Sequence, residues 1–193
     1  VVEETDPAFE RPTKPIGPFY SSEQARNLAA ERGWQLVEEA GRGWRRVVPS
    51  PTPLEIVEAD QIRALIAAGT VPVACGGGGI PVVRRSGRLH GVDAVIDKDR
   101  ASAVLAGELG ADRLLILTDV PAVKRGFGTP AAEELRELTA EHAEELLPNL
   151  AEGSMRPKVE AALSVARAGG ETIITSLDGV EAALRGEAGT KIG

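Results

Sequence analysis

The sequence predicts an α/β fold, in which a mainly parallel sheet lies between two layers of helices as a three-layer α/β/α sandwich. Short apolar runs at residues 71–75, 114–117 and 172–175 have the length and composition of buried strands. Longer runs with apolar residues at helical spacing separate them, and glycine stands at several of the junctions. Strands that alternate regularly with helices pair in parallel and are covered on both faces.

The first 53 residues lack this alternation. Residues 1–12 are acidic and contain two steps into proline, which favour extended or turn backbone, so we interpret them as a connector. Residues 13–53 are rich in proline and carry one helical pattern, at 22–32, and one strand pattern, at 45–48. A stretch of this size cannot form a core of its own, so we expect a small subdomain attached to residues 54–193.

The larger part, residues 54–193, is predicted element by element. Apolar residues at helical spacing begin at Leu54 and stop at Gly69, and Thr139 is of a type that caps helices. Pro157 stands where a first helical residue is expected, because that position does not use its amide hydrogen. The predicted elements are helix 54–66, strand 71–75, helix 100–109, strand 114–117, helices 133–138 and 139–147, helix 157–167, strand 172–175, helix 177–184 and a possible edge strand, 190–192.

Composition excludes several classes of partner. With a net charge of −7 and 3% aromatic residues, the chain has neither the basic field nor the stacking rings that bind nucleic acid. No apolar run reaches the roughly 18 residues that a membrane span needs, so we expect no membrane partner. One cysteine cannot form an internal disulfide, which favours the cytoplasm. The chain starts at Val1 without a leader pattern, and we expect that the beginning of a longer protein is missing.

Two charged segments are candidates for chemistry. Lys98 and Asp99 follow Asp97 directly, and Lys158 comes one residue after the predicted helix start at Pro157. In a doubly wound fold, such junctions between loop and helix carry the ligand. Phosphoryl transfer needs fixed positive charge over the phosphate oxygens and little covalent help, which two lysines held apart by a carboxylate would supply. The alternative is a helix cap followed by solvated charges of the first turn.

A run of four glycines follows the predicted strand that ends at Cys75. The run Gly76–Gly79 passes into Ile80-Pro81, so it lacks the Gly-Lys-Ser/Thr ending of a P-loop. A dinucleotide-binding fingerprint would need a third glycine where Pro81 stands. Two interpretations stay open: the glycines allow close packing of the backbone, or their amides approach a ligand.

Seven segments, taken together and in this order, resemble one family. They are TKPIGPFY, GRGWRRVVPSP, CGGGGIPVV, GVDAVIDKDRAS, LILTDV, GSMRPKVEAA and a terminal GTKI. Their order over nearly the whole chain is similar to the C-terminal part of a carbamate kinase, within the amino-acid kinase superfamily. Members of that family carry an earlier half with a Gly-Gly-Asn loop that grips the transferred phosphoryl group, and no such loop is found here. Arg156 also departs from the glycine expected in its motif, and could either add a phosphate contact or narrow the nucleotide slot.

The resemblance implies roles for particular residues. Lys98, Lys158 and Lys14 would contact the phosphates or the carbamate, and Asp99 would orient the ammonium groups of Lys98 and Lys158. Gly77 and Gly78 would border the substrate together with Lys14, and residues 13–53 would form a lid. The nucleotide-binding residues it implies are Thr118, Val123, Gly153, Met155, Pro157 and Lys158, of which Met155 could equally fill the core.

The implied activity is reversible phosphoryl transfer from ATP to carbamate, giving ADP and carbamoyl phosphate, with Mg²⁺. No residue is predicted as a metal ligand, since His90 and His142 lie in no ligand pattern and magnesium is held mainly by phosphates. The resemblance also implies a cytoplasmic homodimer that serves arginine breakdown. The alternatives are another enzyme of the superfamily, such as an acetylglutamate or nucleoside-monophosphate kinase, and a non-catalytic fragment that only binds nucleotide.

Overall fold

The structure is a computed structural model that describes residues 1–39, 41–150 and 154–193. These residues form two compact units. The first unit contains Val1–Leu54 and Gly79–Asp97, and the second contains Glu55–Gly78 and Lys98–Gly193. The boundary after Leu54 lies next to the predicted one, but the return of residues 79–97 to the first unit differs from the prediction, because no change in composition marks it.

The first unit is built on an antiparallel sheet in which strand β3 (Gly43–Val48) lies between β1 (Lys14–Tyr20) and β2 (Leu36–Glu39). Helix α1 (Ser22–Arg32) confirms the predicted helix and is held at its start by a capping box between Ser21 and Gln24. A hairpin of β4 (Val82–Arg85) and β5 (Arg88–Gly91) completes the unit.

Residues 1–12, predicted as a connector, are folded into the first unit. Val2 is buried, its amide donates to the carbonyl of Val82 at 2.9 Å, and Val2 forms a β-bridge with Pro53. A short 3₁₀ turn, Pro7–Phe9, is capped by the side chain of Asp6. Pro7 suits the start of this turn as well as it suits a linker, so composition alone did not distinguish the two.

The second unit alternates helices and strands, and the predicted α/β class is confirmed. Its elements are α2 (Ala59–Ala67), α3 (Lys98–Leu109), β6 (Arg113–Thr118), β7 (Lys124–Arg125), β8 (Glu133–Glu134), β9 (Glu137–Leu138), α4 (Ala140–Leu146), α5 (Met155–Arg167), β10 (Glu171–Ser176), α6 (Val180–Leu184) and β11 (Thr190–Ile192). The main sheet has the order β6-β10-β11-β9. The pairs β6–β10 and β11–β9 are parallel, whereas β10–β11 is antiparallel.

The core of the second unit lies between helix α5 and this sheet. Val159 and Leu163 on α5 are buried in one cluster with Ile174 on β10 and Ile192 on β11. Helix α3 joins the same cluster through small residues, among them Ala103. Short alanine side chains let the axes of two helices approach closely, which brings the first turns of α3 and α5 together.

Two predictions for the end of the chain are wrong. Residues 133–138 are not a helix but contribute to strands β8 and β9, because β9 pairs with β11 and the amide of Lys191 donates to the carbonyl of Arg136 at 2.8 Å. Strand β11 is not at an edge, since it lies between β10 and β9 with Thr190 and Ile192 fully buried. At residues 133–138, pairing with a distant segment overrides the local preference of charged residues for helix, and at β11 the position in the sheet is set by pairing on both sides.

Residues 71–75 do not form the predicted buried strand. The side chains of Val71 and Val73 are 89% and 98% exposed, and none of the residues in the described ranges pairs with this segment as a strand. Alternating valines indicate strand propensity, but a strand also needs a neighbour to accept its backbone hydrogen bonds. Helix α2 likewise begins at Ala59, later than the predicted start at Leu54.

An acidic side chain ties three neighbouring strands of the second unit together. Glu171 at the start of β10 pairs with Arg113 on β6 and, at 2.8 Å, with Lys191 on β11. The hydrogen bond from Lys191, with a further contribution from Arg113, holds the pKa of Glu171 below its ordinary value of 4.5. In return, Glu171 raises the pKa of Lys191.

We expect the ion pairs of Glu171 to stabilise the chain less in acid. A carboxyl group whose pKa is lowered by folding adds stability above its ordinary pKa, and that stability is lost as the pH falls through the lowered value. The wild-type chain should therefore lose its advantage over Glu171→Gln as the pH falls below about 4.5. Urea unfolding of both chains between pH 3 and 7 measures this, and a stability difference that does not vary with pH would contradict it.

Candidate phosphate-binding site at the first turns of two helices

Helix α3 begins at Lys98, within the charged segment Asp97-Lys98-Asp99 singled out in the sequence. Asp97 and Asp99 are buried, whereas Lys98 between them is exposed. The two acids therefore have protein partners, and the ammonium group that separates them faces solvent. Each acid belongs to a different unit of the structure.

Within the first unit, Asp97 forms an ion pair with the ammonium group of Lys14. Lys14 is the first residue of β1 and is fixed by its pairing with Val48 on β3. Pro15 follows it and limits the backbone further. The side chain of Lys14 keeps 29% of its surface exposed, so its charge is oriented by Asp97 without being sealed from solvent.

Within the second unit, Asp99 forms an ion pair with Lys158, with 2.8 Å between Nζ and Oδ2. Both side chains are nearly buried, at 10% and 12% exposure. Lys158 is the fourth residue of α5, close to the positive end of the helix dipole, where a second positive charge is unfavourable. Asp99 offsets that cost and directs the ammonium group, so the structure keeps two sources of positive potential at one helix start.

Lys98 differs from the prediction in one respect. Asp99 was expected to orient both Lys98 and Lys158, but the Lys98 ammonium has no ion pair in the portion of the chain that the structure describes. Its backbone carbonyl accepts a hydrogen bond from the hydroxyl of Ser102, as a helical residue can. Among the described residues, Lys98 is thus an exposed positive charge without an ion-pair partner at a helix start, because its side chain points away from that of its sequence neighbour.

Three further charged residues at the same helix starts were not predicted as a group. Glu160 on α5 accepts from Arg100 on α3 at 2.5 Å and from Arg156 on α5 at 3.1 Å. The spacing of Arg156 and Glu160 along a helix could have indicated their contact. The contact between Arg100 and Glu160 could not be found without the packing of α3 against α5.

Three of the four glycines in the run have backbone angles that only glycine adopts readily. Gly76 has a φ of 48°, Gly78 of 132° and Gly79 of 85°, and Gly78 is buried. A Cβ atom added to Gly76, Gly77 or Gly79 would meet no atom within 4 Å. Close packing therefore does not explain why glycine stands at those three positions. At Gly76 and Gly79, the positive φ explains it. The role of Gly77 and Gly78 at the substrate stays a prediction.

Cys75, which precedes the glycines, also has a positive φ of 63°. Burial raises the pKa of its thiol, and the negative charges of Glu58 and Glu108 raise it further. The thiol is thus protonated at neutral pH and is a poor nucleophile there.

The residues expected to bind nucleotide fall in different surroundings. Thr118 ends β6 beside Ser176 of β10, at the carboxyl edge of two parallel strands where ligands bind in such sheets. Val123 is fully buried in the core, and its amide donates to Thr190 at 2.8 Å, which is a structural role. Its part in nucleotide binding stays a prediction.

The start of α5 corrects one expectation and leaves others as predictions. The helix begins at Met155, so Pro157 is its third residue and not its first; its missing amide hydrogen is still among those a helix start leaves unused. Pro157 is buried and Met155 packs partly buried against the core, as the alternative interpretation of Met155 allowed. Gly153 lies outside the described residues.

The described ranges contain no group of three histidine, cysteine, aspartate or glutamate side chains placed to hold a metal ion. Asp97 in the first unit and Asp99 in the second are each paired with a lysine of the same unit. No helix in the same ranges has the length and apolar character to span a bilayer.

Comparison with known proteins places these observations in a family. The model of the amino acid kinase family matches residues 19–176. A carbamate kinase of Pyrococcus horikoshii is 47% identical over 195 residues, covering all of this chain and 62% of the relative. Carbamate kinase from Giardia lamblia bound to citric acid is 45% identical with a TM-score of 0.90, over 99% of this chain and 61% of that one. The same protein bound to AMP-PNP is 46% identical with a TM-score of 0.83, over 99% and 62%.

The chain thus spans less than two thirds of the length of these relatives. The expected resemblance to carbamate kinases is confirmed in sequence and in fold. Since the family model covers most of the chain, from within β1 to the end of β10, this chain belongs to the amino acid kinase family.

Proposed function

We propose that the protein to which this chain belongs is an ATP:carbamate phosphotransferase. A carbamate oxygen attacks the γ-phosphorus of ATP, the bond from that phosphorus to the β,γ-bridging oxygen breaks, and ADP leaves; the reverse reaction makes ATP from carbamoyl phosphate. The observation that carries the proposal is the Asp99–Lys158 pair at the first turns of α3 and α5, beside the exposed Lys98. The identity to carbamate kinases supports the choice of acceptor.

The lysines supply the charge that this reaction needs. In the transition state, negative charge spreads over the oxygens of the transferring group, and preorganised positive charge lowers its energy. Lys158 is held by Asp99 and needs little reorganisation, and Lys98 is exposed and available to a phosphate. Lys14, oriented by Asp97, would meet the carbamate or the moving phosphoryl group. No general base is required, because carbamate already carries an anionic oxygen.

ATP and ADP would be bound at the carboxyl edge of β6 and β10 and at the first turn of α5. Thr118 lies at that edge, and Lys158 adds to the positive end of the helix. Mg²⁺ would be held mainly by phosphate oxygens and water. We further propose a cytoplasmic homodimer that acts in arginine breakdown.

The function is tested by three measurements. Calorimetric titration of this chain with ADP should show binding, and the complete protein should form ATP from carbamoyl phosphate and ADP. A substrate panel with carbamate, acetylglutamate and a nucleoside monophosphate identifies the acceptor, and phosphorylation of acetylglutamate without carbamate would replace our choice.

The length of the chain favours a second candidate, a nucleotide-binding part that does not catalyse on its own. The chain spans 62% of the Pyrococcus horikoshii relative. ADP binding without turnover by these 193 residues would support this candidate, and turnover by them alone would exclude it.

A further inference from the structure

Helices α3 and α5 are joined within their first two turns by two ion pairs of opposite sense. In the first, the acid Asp99 lies on α3 and the base Lys158 on α5. In the second, the base Arg100 lies on α3 and the acid Glu160 on α5. The two residues on α3 are sequence neighbours, and those on α5 are two apart. A shift of either helix along its axis would stretch both pairs, so together they set the register of the two helix starts.

Glu160 accepts hydrogen bonds from two arginines. Its Oε2 accepts from Nη2 of Arg100 at 2.5 Å and from Nε at 3.2 Å, while its Oε1 accepts from Nε of Arg156 at 3.1 Å. The Glu160 side chain is only 25% exposed, which shields these bonds from water and strengthens them. Charge-assisted bonds that involve a guanidinium fix direction as well as distance.

The contact with Glu160 also orients the side chain of Arg156. The sequence left two roles open for it, a phosphate contact or a narrowing of the nucleotide slot, and in the structure its Nε donates to Glu160. A positive charge in the first turn of a helix is unfavourable, and Lys158 already lies there. Glu160 offsets the charge of Arg156, so that Asp99 serves Lys158.

We propose that Glu160 is a positioning residue for Lys158. By clamping Arg100 and Arg156, it holds the first turn of α3 against that of α5 and keeps Asp99 paired with the Lys158 ammonium. If Glu160 loses its carboxylate, the guanidinium groups of Arg100 and Arg156 lose an acceptor close to Asp99, which pairs with Lys158. The proposal extends the proposed function, because the aligned ammonium is the group that would meet the nucleotide phosphates.

The first test observes Lys158 directly, with no ligand present. In a chain labelled with ¹⁵N-lysine, the Lys158 ammonium should give a protected Nζ signal, assigned by its loss in Lys158→Met. Glu160→Gln should abolish or shift this signal while the signals of Lys14, Lys98, Lys124 and Lys191 stay unchanged. The matched control is Glu144→Gln, which removes a pair with Arg167, 2.7 Å long and largely exposed, at the other end of α5.

The second test measures affinity. Titration with ADP should be about tenfold weaker for Glu160→Gln, a loss of about 1.4 kcal/mol, and unchanged for Glu144→Gln. Glu160→Asp keeps the charge but shortens the reach; it should fold and give an intermediate affinity, and it replaces Glu160→Gln if that variant does not fold.

The outcomes separate the two proposals. An unchanged Lys158 signal in folded Glu160→Gln would overturn the positioning role, whether or not ADP binds. Equal loss of affinity in Glu160→Gln and Glu144→Gln would also overturn it, since the effect would then be general to α5. Absence of ADP binding in the wild-type chain would count against the proposed function, and the Lys158 signal would still decide the role of Glu160.

Discussion

Replacing Lys158 with methionine should both destabilise the chain and remove its affinity for ADP. The change removes the ammonium group that pairs with the nearly buried Asp99 carboxylate, and breaking a buried ion pair from one side costs about 3 kcal/mol. It also removes one of the charges proposed to meet the phosphates. Urea unfolding measures the first effect, and calorimetric titration with ADP the second.

The double variant Asp99→Asn/Lys158→Met separates the two effects of Lys158. With both charges gone, none is stranded, so the free energy of unfolding should recover by at least half of the loss seen in Lys158→Met. The affinity for ADP should not recover, because the ammonium is still missing. Recovery of both properties would show that Lys158 acts through stability alone, and no loss in the single variant would contradict its place in the site.

Replacing Lys98 with alanine should leave the stability of the chain nearly unchanged and strongly lower the rate of phosphoryl transfer. Lys98 is exposed and has no ion pair in the described parts of the chain, so its loss should change the free energy of unfolding by no more than about 0.5 kcal/mol. Phosphoryl transfer by the complete protein should fall about 10²- to 10³-fold, as for other groups that stabilise charge only in the transition state.

The control for Lys98 is Lys191→Ala. Lys191 is paired with Glu171 in the sheet of the second unit, so its loss should lower stability slightly and leave the rate of phosphoryl transfer unchanged. Rates come from coupled measurement of ATP formed from carbamoyl phosphate, and stabilities from thermal unfolding. Undiminished transfer in Lys98→Ala would refute the role proposed for it.

Elements with strong local signals were predicted well. The helical pattern of residues 22–32 became α1, whose cap at Ser21 and left-handed Gly33 end it on both sides. The apolar runs at 114–117 and 172–175 became β6 and β10. Each of these segments has a periodicity or cap that acts within a few residues, so neighbours far along the chain are not needed to define it.

Elements that depend on distant partners were predicted poorly. Residues 133–138 are rich in glutamate and leucine, which favour helix, yet β9 exists because β11 offers it a parallel partner. The valines at 71 and 73 favour a strand, yet they stay exposed without a partner among the described residues. The energy of strand pairing comes from contacts between segments that are far apart in sequence, so a local window of sequence does not reveal it.

The same division applies to the candidate site. The residue types of a phosphate-binding site, Lys98, Asp99 and Lys158, could be predicted from their order along the chain and from a family resemblance. Their partners could not: Asp97 could be read as a helix cap, but it holds Lys14, and Asp99 serves Lys158 without Lys98. Glu160 was not singled out at all.

The amino-acid sequence by itself determined the α/β class, most helices and the identity of the charged residues, because these depend on local periodicity and residue type. Only the tertiary structure decided which acid holds which lysine, where β11 lies in the sheet and how α3 meets α5. Ion pairs and strand pairs form at distances of a few ångströms between residues tens of positions apart, and only the packed core brings such residues together.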